Sequence, residues 1–179
     1  MIDPAFRREQ RGVGVRMAGA VLVTAAIVVA SLAFGPPAAL STRLKVAIMA
    51  DLVVVAWLAA GIANVARLRF LSPVDIIGGG RTDASTAVRD ASAILQNTLE
   101  QVTLAIPVHI AAAVVIDRSL TLLVALGIIF TIGRTSFWRG YRCGAQARAF
   151  GFALTFYPTV ATLLTVAGFA VSEMLSFSR

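Results

Sequence analysis

Long apolar stretches constrain this chain more than any other feature of its sequence. Five of them lie at approximately 17–34, 46–66, 91–116, 119–133 and 149–172. A helix needs about 20 apolar residues to cross a bilayer, and within lipid every backbone polar group must find a partner inside the protein. Because the stretches are apolar on all sides and do not alternate, they predict membrane-spanning helices and not barrel strands.

The composition agrees with a membrane protein. Hydrophobic residues make up 58% of the 179 residues and charged residues only 14%, whereas soluble domains average about 25% charged residues. A water-soluble fold of this size has too little interior to bury so much apolar surface. The sequence therefore predicts an all-α integral membrane protein with five spans and no separate soluble domain.

The first apolar stretch has two interpretations. Arginines precede it and Gly35-Pro36-Pro37 closes it, which is the pattern of a secretory signal peptide. Its apolar length exceeds the roughly 7–15 residues of a signal core, and this favours a retained span. We therefore divide the chain into a basic N-terminal segment at 1–16, an extra membrane helix at 17–37 and a four-helix membrane domain at 38–179.

Basic residues set the expected orientation. The net charge is +7, and arginines cluster before the first stretch, in the connection 67–90 and in the segment 134–148. Cytoplasmic connections are rich in Arg and Lys, so five spans place the N-terminus on the cytoplasmic side of the membrane and the C-terminus on the opposite side. Because the charges lie between apolar runs, we expect them to contact membrane lipid headgroups and not nucleic acid.

The scarce cysteine and histidine limit the chemistry. One cysteine, Cys143, excludes an intrachain disulfide, and together with the one histidine, His109, it leaves no His/Cys metal cluster, so no metal is expected. We expect His109 to hydrogen-bond to a neighbouring helix. Asp51 in the second stretch is expected to pair with Lys45 or with a neighbouring subunit.

The connection 67–90 contains breakers of regular structure. Gly78-Gly79-Gly80 lacks the Lys and Ser/Thr of a nucleotide-binding loop, so a flexible turn is expected there. Either Thr82-Asp83 or Ser85 is expected to cap the next helix.

A polar group interrupts the third apolar stretch at 96–101. Asn97 and Glu100 are three residues apart and share a helix face. Polar side chains inside a span are costly, which makes them candidates for function. The alternative is that they are hydrogen-bonding glue between packed spans.

A second group lies at 133–148, where four arginines alternate with aromatic residues. It is either an interfacial belt or an anion pocket open to the cytoplasm. Arg134, Tyr141 and Arg148 are seven residues apart and share a face only if the helix continues, while glycines in the segment make a turn equally plausible. Together the two groups suit a zwitterionic peptide, because Arg pairs with carboxylates and Glu accepts an ammonium group.

These residues resemble a known family. Asn97-Thr98-Leu99-Glu100 is similar to the Asn-x-x-Glu motif in the second span of the MAPEG family, the membrane-associated proteins in eicosanoid and glutathione metabolism. The segment 134–148 resembles that family's Arg-x-x-Tyr-x-x-x-Tyr segment with its following Arg. The stretch from Gly140-Tyr141-Arg142 to Tyr157-Pro158 is similar to bacterial members in particular, which implies a bacterial inner membrane with the C-terminus in the periplasm. The resemblance covers roughly 46–175, so the first span would be an extra helix before a MAPEG-like four-helix bundle.

The resemblance implies a homotrimer that binds glutathione as a co-substrate between subunits. It implies that Asn97 and Glu100 bind the peptide's polar groups, that Arg134 holds a carboxylate, and that Tyr141 lines the site. Arg148 matches the catalytic arginine that stabilises the glutathione thiolate. The implied activity is a transferase or peroxidase that acts on lipophilic electrophiles or hydroperoxides.

A non-catalytic accessory or interaction subunit of a membrane complex is the alternative function. Phe137 and Ala93 stand where the family pattern has Tyr and Arg, and the extra first span offers a surface for another membrane protein. Under the enzyme hypothesis, deletion of 1–35 is expected to spare activity. Under the accessory hypothesis, the same deletion should break partner binding.

Overall fold

The computed structural model describes residues 3–77 and 84–177, and the side chain of the last of these is not described. The described residues form five long helices, which are α1 (Pro4–Phe34), α2 (Leu40–Phe70), α3 (Thr86–Val115), α4 (Leu120–Gly140) and α5 (Ala145–Phe177). All five are long and apolar enough to cross a bilayer. The prediction of an all-α membrane protein with five spans is confirmed.

Local sequence signals explain where two of the helices begin. Asp3 caps α1, because its carboxylate accepts a hydrogen bond from the Ala5 amide at 2.9 Å, and Pro4 fits the first helical position. The helix therefore starts well before residue 17 and carries the N-terminal arginines on its first turns. Ser85 caps α3 as predicted, accepting from the Val88 amide at 3.3 Å. The predictions on 78–80 and on Thr82-Asp83 lie outside the described residues.

Two side-chain pairs join separate segments of the bundle at different depths. His109 on α3 lies with its Nδ1 2.7 Å from an oxygen of Asp51 on α2, which confirms the expected bond to a neighbouring helix. Asp51 therefore has His109 as its partner, where Lys45 or another subunit was expected. Near the α3–α4 turn, the nearly buried Arg43 pairs with Asp117 at 2.8 Å.

The Arg-rich connections gather at the other end of the bundle, which we call the basic end. It is formed by the start of α1, the end of α2, the start of α3 and the turn between α4 and α5. Arg142 in that turn donates to Asp90 on α3 at 2.9 Å. Helix α1 packs along α5 and touches α4, but no Cα pair within 8 Å joins it to α3 in the described residues.

Asp75 joins the segment that follows α2 to the start of α3. Its carboxylate accepts a hydrogen bond from the Ser85 amide at 3.0 Å, and its own amide donates to the Ser72 hydroxyl at 3.3 Å. The hydrogen bond with Ser72 is the main cause that holds the pKa of the Asp75 carboxyl below its usual value of 3.8, and the hydrogen bonds with Ser85 act in the same direction. These contacts position the start of the helix that carries Asn97.

Two glycines let α4 and α5 approach each other closely. A Cβ on Gly151 would lie 2.7 Å from the Gly133 carbonyl oxygen and 2.8 Å from the Phe137 Cα. Both are backbone atoms, so a side chain at residue 151 forces the helices apart. This close approach of α4 and α5 matters for the site because Arg134, the residue after Gly133, donates to Thr155 on α5.

We expect Gly151→Ala to destabilise the protein by about 1–3 kcal/mol, the usual cost of overpacking. Thermal unfolding in detergent measures this as a lowered Tm. The matched control is Gly168→Ala on the same helix, where a Cβ meets nothing within 4 Å. An equal Tm for the two variants would contradict the close approach of α4 and α5.

Candidate functional site

A cavity of about 400 Å³ opens at the basic end, between α1 and α3. Its floor is the α4–α5 turn and the first turns of α5. Three residues predicted from the sequence, Asn97, Tyr141 and Arg148, lie on its wall. The complete lining is Val13, Met17, Ala93, Asn97, Phe137, Tyr141, Ala145, Arg148, Ala149 and Phe152.

Arg134 lies fully buried beside the cavity and ties three helices together. One terminal nitrogen donates to the Asn97 carbonyl oxygen on α3 at 2.9 Å, and the other donates to the Thr155 hydroxyl on α5 at 2.8 Å. Its Nε has no partner among the described residues. The Asn97 side-chain oxygen and the Thr155 hydroxyl thus hold the guanidinium in place. The guanidinium in turn orients the Asn97 amide.

A row of contacts between two guanidinium groups and two aromatic rings runs from Arg134 to the cavity. The Arg134 guanidinium carbon lies 4.6 Å from the centre of the Phe137 ring. The ring of Phe137 meets the ring of Tyr141 edge-on at 5.5 Å. The guanidinium carbon of Arg148 lies 4.9 Å from the centre of the Tyr141 ring. Phe137 therefore contributes ring contacts to the site and no hydroxyl.

A turn, and not a continuous helix, produces this arrangement. Helix α4 ends at Gly140, residues Tyr141–Cys143 form one 3-10 turn, and α5 begins at Ala145. Gly144 has φ +96°, a conformation that other residues rarely adopt. The seven-residue spacing therefore does not place Arg134, Tyr141 and Arg148 on one helix face, because the chain reverses between the last two.

Glu100 lies outside the cavity of a single chain. It is exposed, and its carboxylate accepts a hydrogen bond from Gln96 at 3.1 Å. It belongs to a stripe on α3 whose members are all exposed and alternate three and four residues apart. The stripe consists of Arg89, Ala93, Gln96, Glu100, Thr103, Pro107, Ile110 and Val114.

Sequence reasoning missed Thr155, Val13 and Met17. Thr155 could have been noticed as a polar residue in an apolar span. Thr159 and Thr162 are polar residues in the same span, yet their hydroxyls only donate to the backbone of their own helix, so the sequence does not single out Thr155. Val13 and Met17 gave no signal, because their place at the cavity depends on how α1 packs against α5.

A comparison with known protein families supports the predicted family. A model of the MAPEG family matches residues 46–168, which is more than half of the chain. The chain belongs to the MAPEG family. The predicted family is thereby confirmed, and the match includes α3, α4 and most of α2 and α5 while leaving out α1. No match was found among curated proteins or among solved structures.

Proposed function

We propose that this MAPEG protein is a glutathione-dependent membrane transferase or peroxidase. The observation that carries the proposal is the meeting of Asn97, Tyr141 and Arg148 in one cavity at the basic end. The cavity combines these polar groups with apolar walls, which suits a polar peptide that reacts with a lipophilic partner. Membership of a family named for eicosanoid and glutathione metabolism supports the same reading.

Arg148 is the proposed catalytic residue. A guanidinium beside a thiol favours the charged form and lowers the thiol's pKa from about 8.5. The thiolate then attacks an electrophilic carbon and expels its leaving group. With a hydroperoxide, it attacks the outer oxygen and releases an alcohol, and a second glutathione completes the disulfide and releases water.

The other site residues are proposed to bind glutathione. Asn97 offers its amide, held by Arg134, to the polar groups of the peptide, and Tyr141 offers its hydroxyl. Arg134 is fully buried and absent from the cavity lining, so it is proposed to hold a glutathione carboxylate through Asn97, whose side-chain oxygen it fixes and whose NH2 group can donate to the carboxylate. Glu100 is proposed to accept the peptide's ammonium group in the assembled protein.

Assembly into a homotrimer is part of the proposal, and the exposed stripe of α3 supports it. Its alternating three- and four-residue spacing is that of helices packed along a seam. A carboxylate such as Glu100 is costly to leave against lipid, about 2.5 kcal/mol or more at mid-span. Packing of α3 against α3 of other copies would remove the stripe from lipid and bring each Glu100 close to a neighbouring cavity.

We expect Ile110→Trp, on the stripe, to break the assembly, because the larger ring prevents close approach of the helices. Size-exclusion chromatography with light scattering in detergent measures the protein mass. Leu164→Trp on α5, which is 67% exposed and off the stripe, should leave that mass unchanged. A wild-type mass of one chain would contradict the proposed trimer.

The membrane setting of the site is proposed from charge. The basic end carries the Arg-rich connections, so it is placed at the cytoplasmic face of a bacterial inner membrane, with the C-terminus in the periplasm. In the proposed trimer, the α1 side of the cavity would face lipid, while its α3 side, with Ala93, would lie toward the neighbouring subunit. Lipophilic molecules dissolved in the bilayer are the proposed second substrates.

A non-catalytic accessory subunit is the second candidate. Phe137 supplies no hydroxyl, and Arg134 already donates to two protein acceptors, which together reduce the polar groups free for glutathione. In that case α1 would offer its lipid-facing side to another membrane protein.

Calorimetric titration of the purified protein with glutathione tests the enzyme proposal. We expect binding in the wild type and a loss of about tenfold in affinity for Asn97→Ala, the equivalent of about 1.4 kcal/mol for one good hydrogen bond. Asn64→Ala on α2, whose side chain accepts from Arg67 away from the cavity, is the control. If the wild type does not bind glutathione at millimolar concentration, the enzyme proposal is contradicted and the accessory function is favoured.

A further inference from the structure

Helix α1 lies outside the MAPEG match but forms part of the cavity. Met17 packs with Ala20 against Ala153 and Leu154 of α5. Gly12, the residue before Val13, lies against the side chain of Gln146 at the start of α5. The first half of α1 is thus seated on α5 from the α4–α5 turn inward.

The cavity has two unlike sides. On one side α1 presents Val13 and Met17, and on the other α3 presents Ala93 and Asn97. No Cα pair within 8 Å joins α1 to α3 in the described part of the chain, so the cavity lies in the gap between these two helices. Met17 lines the α1 side of that gap.

The lining contains both polar and apolar groups. Asn97 on α3 and Arg148 on α5 supply hydrogen bonds and charge, whereas Met17 on α1 and Phe152 on α5 supply only apolar surface. A charged peptide bound at the polar side would direct any apolar group on its sulfur toward the apolar side. Methionine is flexible and fills irregular apolar spaces, so it adapts to groups of different shape.

We propose that Met17 of α1 contacts the apolar group that becomes attached to the glutathione sulfur, and so sets the size of the acceptor that the protein takes. The inference rests on the proposed glutathione function. It gives the extra helix a role at the site and replaces the expectation that deletion of 1–35 spares activity.

The test is binding of S-alkyl glutathiones to the full-length protein in detergent, with the free ligand measured at equilibrium. In the wild type we expect S-hexylglutathione to bind more tightly than S-methylglutathione, by up to about fourfold for each methylene that is fully buried. Met17→Trp should reduce that preference by at least about tenfold, while the affinity for S-methylglutathione changes by less than about twofold.

Two further variants separate the role of Met17 from general effects. Leu22→Trp places the same ring on the lipid-facing side of α1, where Leu22 is 71% exposed, and should retain the wild-type preference. Met17→Leu should retain it as well, because its volume is similar. If Met17→Trp does not fold, Met17→Ala serves instead. It should lower the preference for S-hexylglutathione, because the shorter side chain no longer contacts the hexyl group.

The outcomes distinguish the inference from the function on which it rests. A preference for the hexyl group that survives both Met17→Trp and Met17→Ala would overturn the role of α1 alone. The same holds if Leu22→Trp lowers the preference as much as Met17→Trp. Failure of the wild type to bind even S-methylglutathione would overturn the glutathione function, and the inference with it.

Discussion

Arg134→Leu is expected to lower the stability of the purified protein by about 3 kcal/mol, because two hydrogen bonds from a charged group are lost. For a chain of this size that corresponds to a fall in Tm of about 6–12 °C. Removing the buried charge also removes its desolvation cost, which acts in the opposite direction. The loss is expected to prevail because the buried Thr155 hydroxyl and the half-buried Asn97 amide both lose their donor, and unpaired polar groups are costly.

A double variant tests this reasoning. Removing both partners of a buried hydrogen bond costs far less than removing one, so Arg134→Leu with Asn97→Leu should recover much of the stability without recovering glutathione binding. Arg139→Leu, on the exposed side of the last turn of α4, is the matched control and should melt like the wild type. If Arg134→Leu also melts like the wild type, the guanidinium does not join α3, α4 and α5.

Arg148→Ala is expected to have the largest effect on turnover. A neighbouring cation lowers a thiol pKa by about 1–3 units, so its removal returns the bound thiol toward about 8.5. At pH 7 the thiolate fraction then falls by about 10- to 30-fold, and turnover with a soluble electrophile should fall in proportion. The midpoint of the pH–rate profile should rise, and activity should be recovered in part at pH 9.

Arg142→Ala is the control for Arg148→Ala. Arg142 lies six residues away, is 66% exposed and pairs with Asp90, so its loss should leave the midpoint of the profile unchanged. A midpoint that shifts equally in both variants would show a general electrostatic effect of the basic end. A midpoint that shifts in neither would remove Arg148 from the catalytic role.

The sequence predicted most of the fold because bilayer physics leaves few solutions. Apolar length alone indicated five helices, and the Asn97-to-Glu100 motif with the segment 134–148 indicated the family. The cap at Ser85 was predictable from local chemistry. The sequence analysis placed the start of the first membrane helix at residue 17, because the arginines before it interrupt the apolar pattern. In the structure, Asp3 and Pro4 begin the helix.

The candidate site was only partly predictable, since it depends on packing between distant segments. The spacing of Arg134, Tyr141 and Arg148 left helix and turn open, and the positive φ of Gly144 decides for the turn. The burial of Arg134 against Thr155 requires the close approach of Gly133 and Gly151, which no local pattern reveals. The place of α1 at the cavity likewise follows from its packing on α5.

The most direct test of the account is the ultraviolet difference spectrum of glutathione bound to the purified protein at pH 7. We expect a thiolate absorbance in the wild type and in Arg142→Ala, and its loss in Arg148→Ala while glutathione remains bound. That result would place the thiol beside Arg148 in the cavity. Bound glutathione without a thiolate signal in the wild type, or an unchanged signal in Arg148→Ala, would contradict the proposed mechanism.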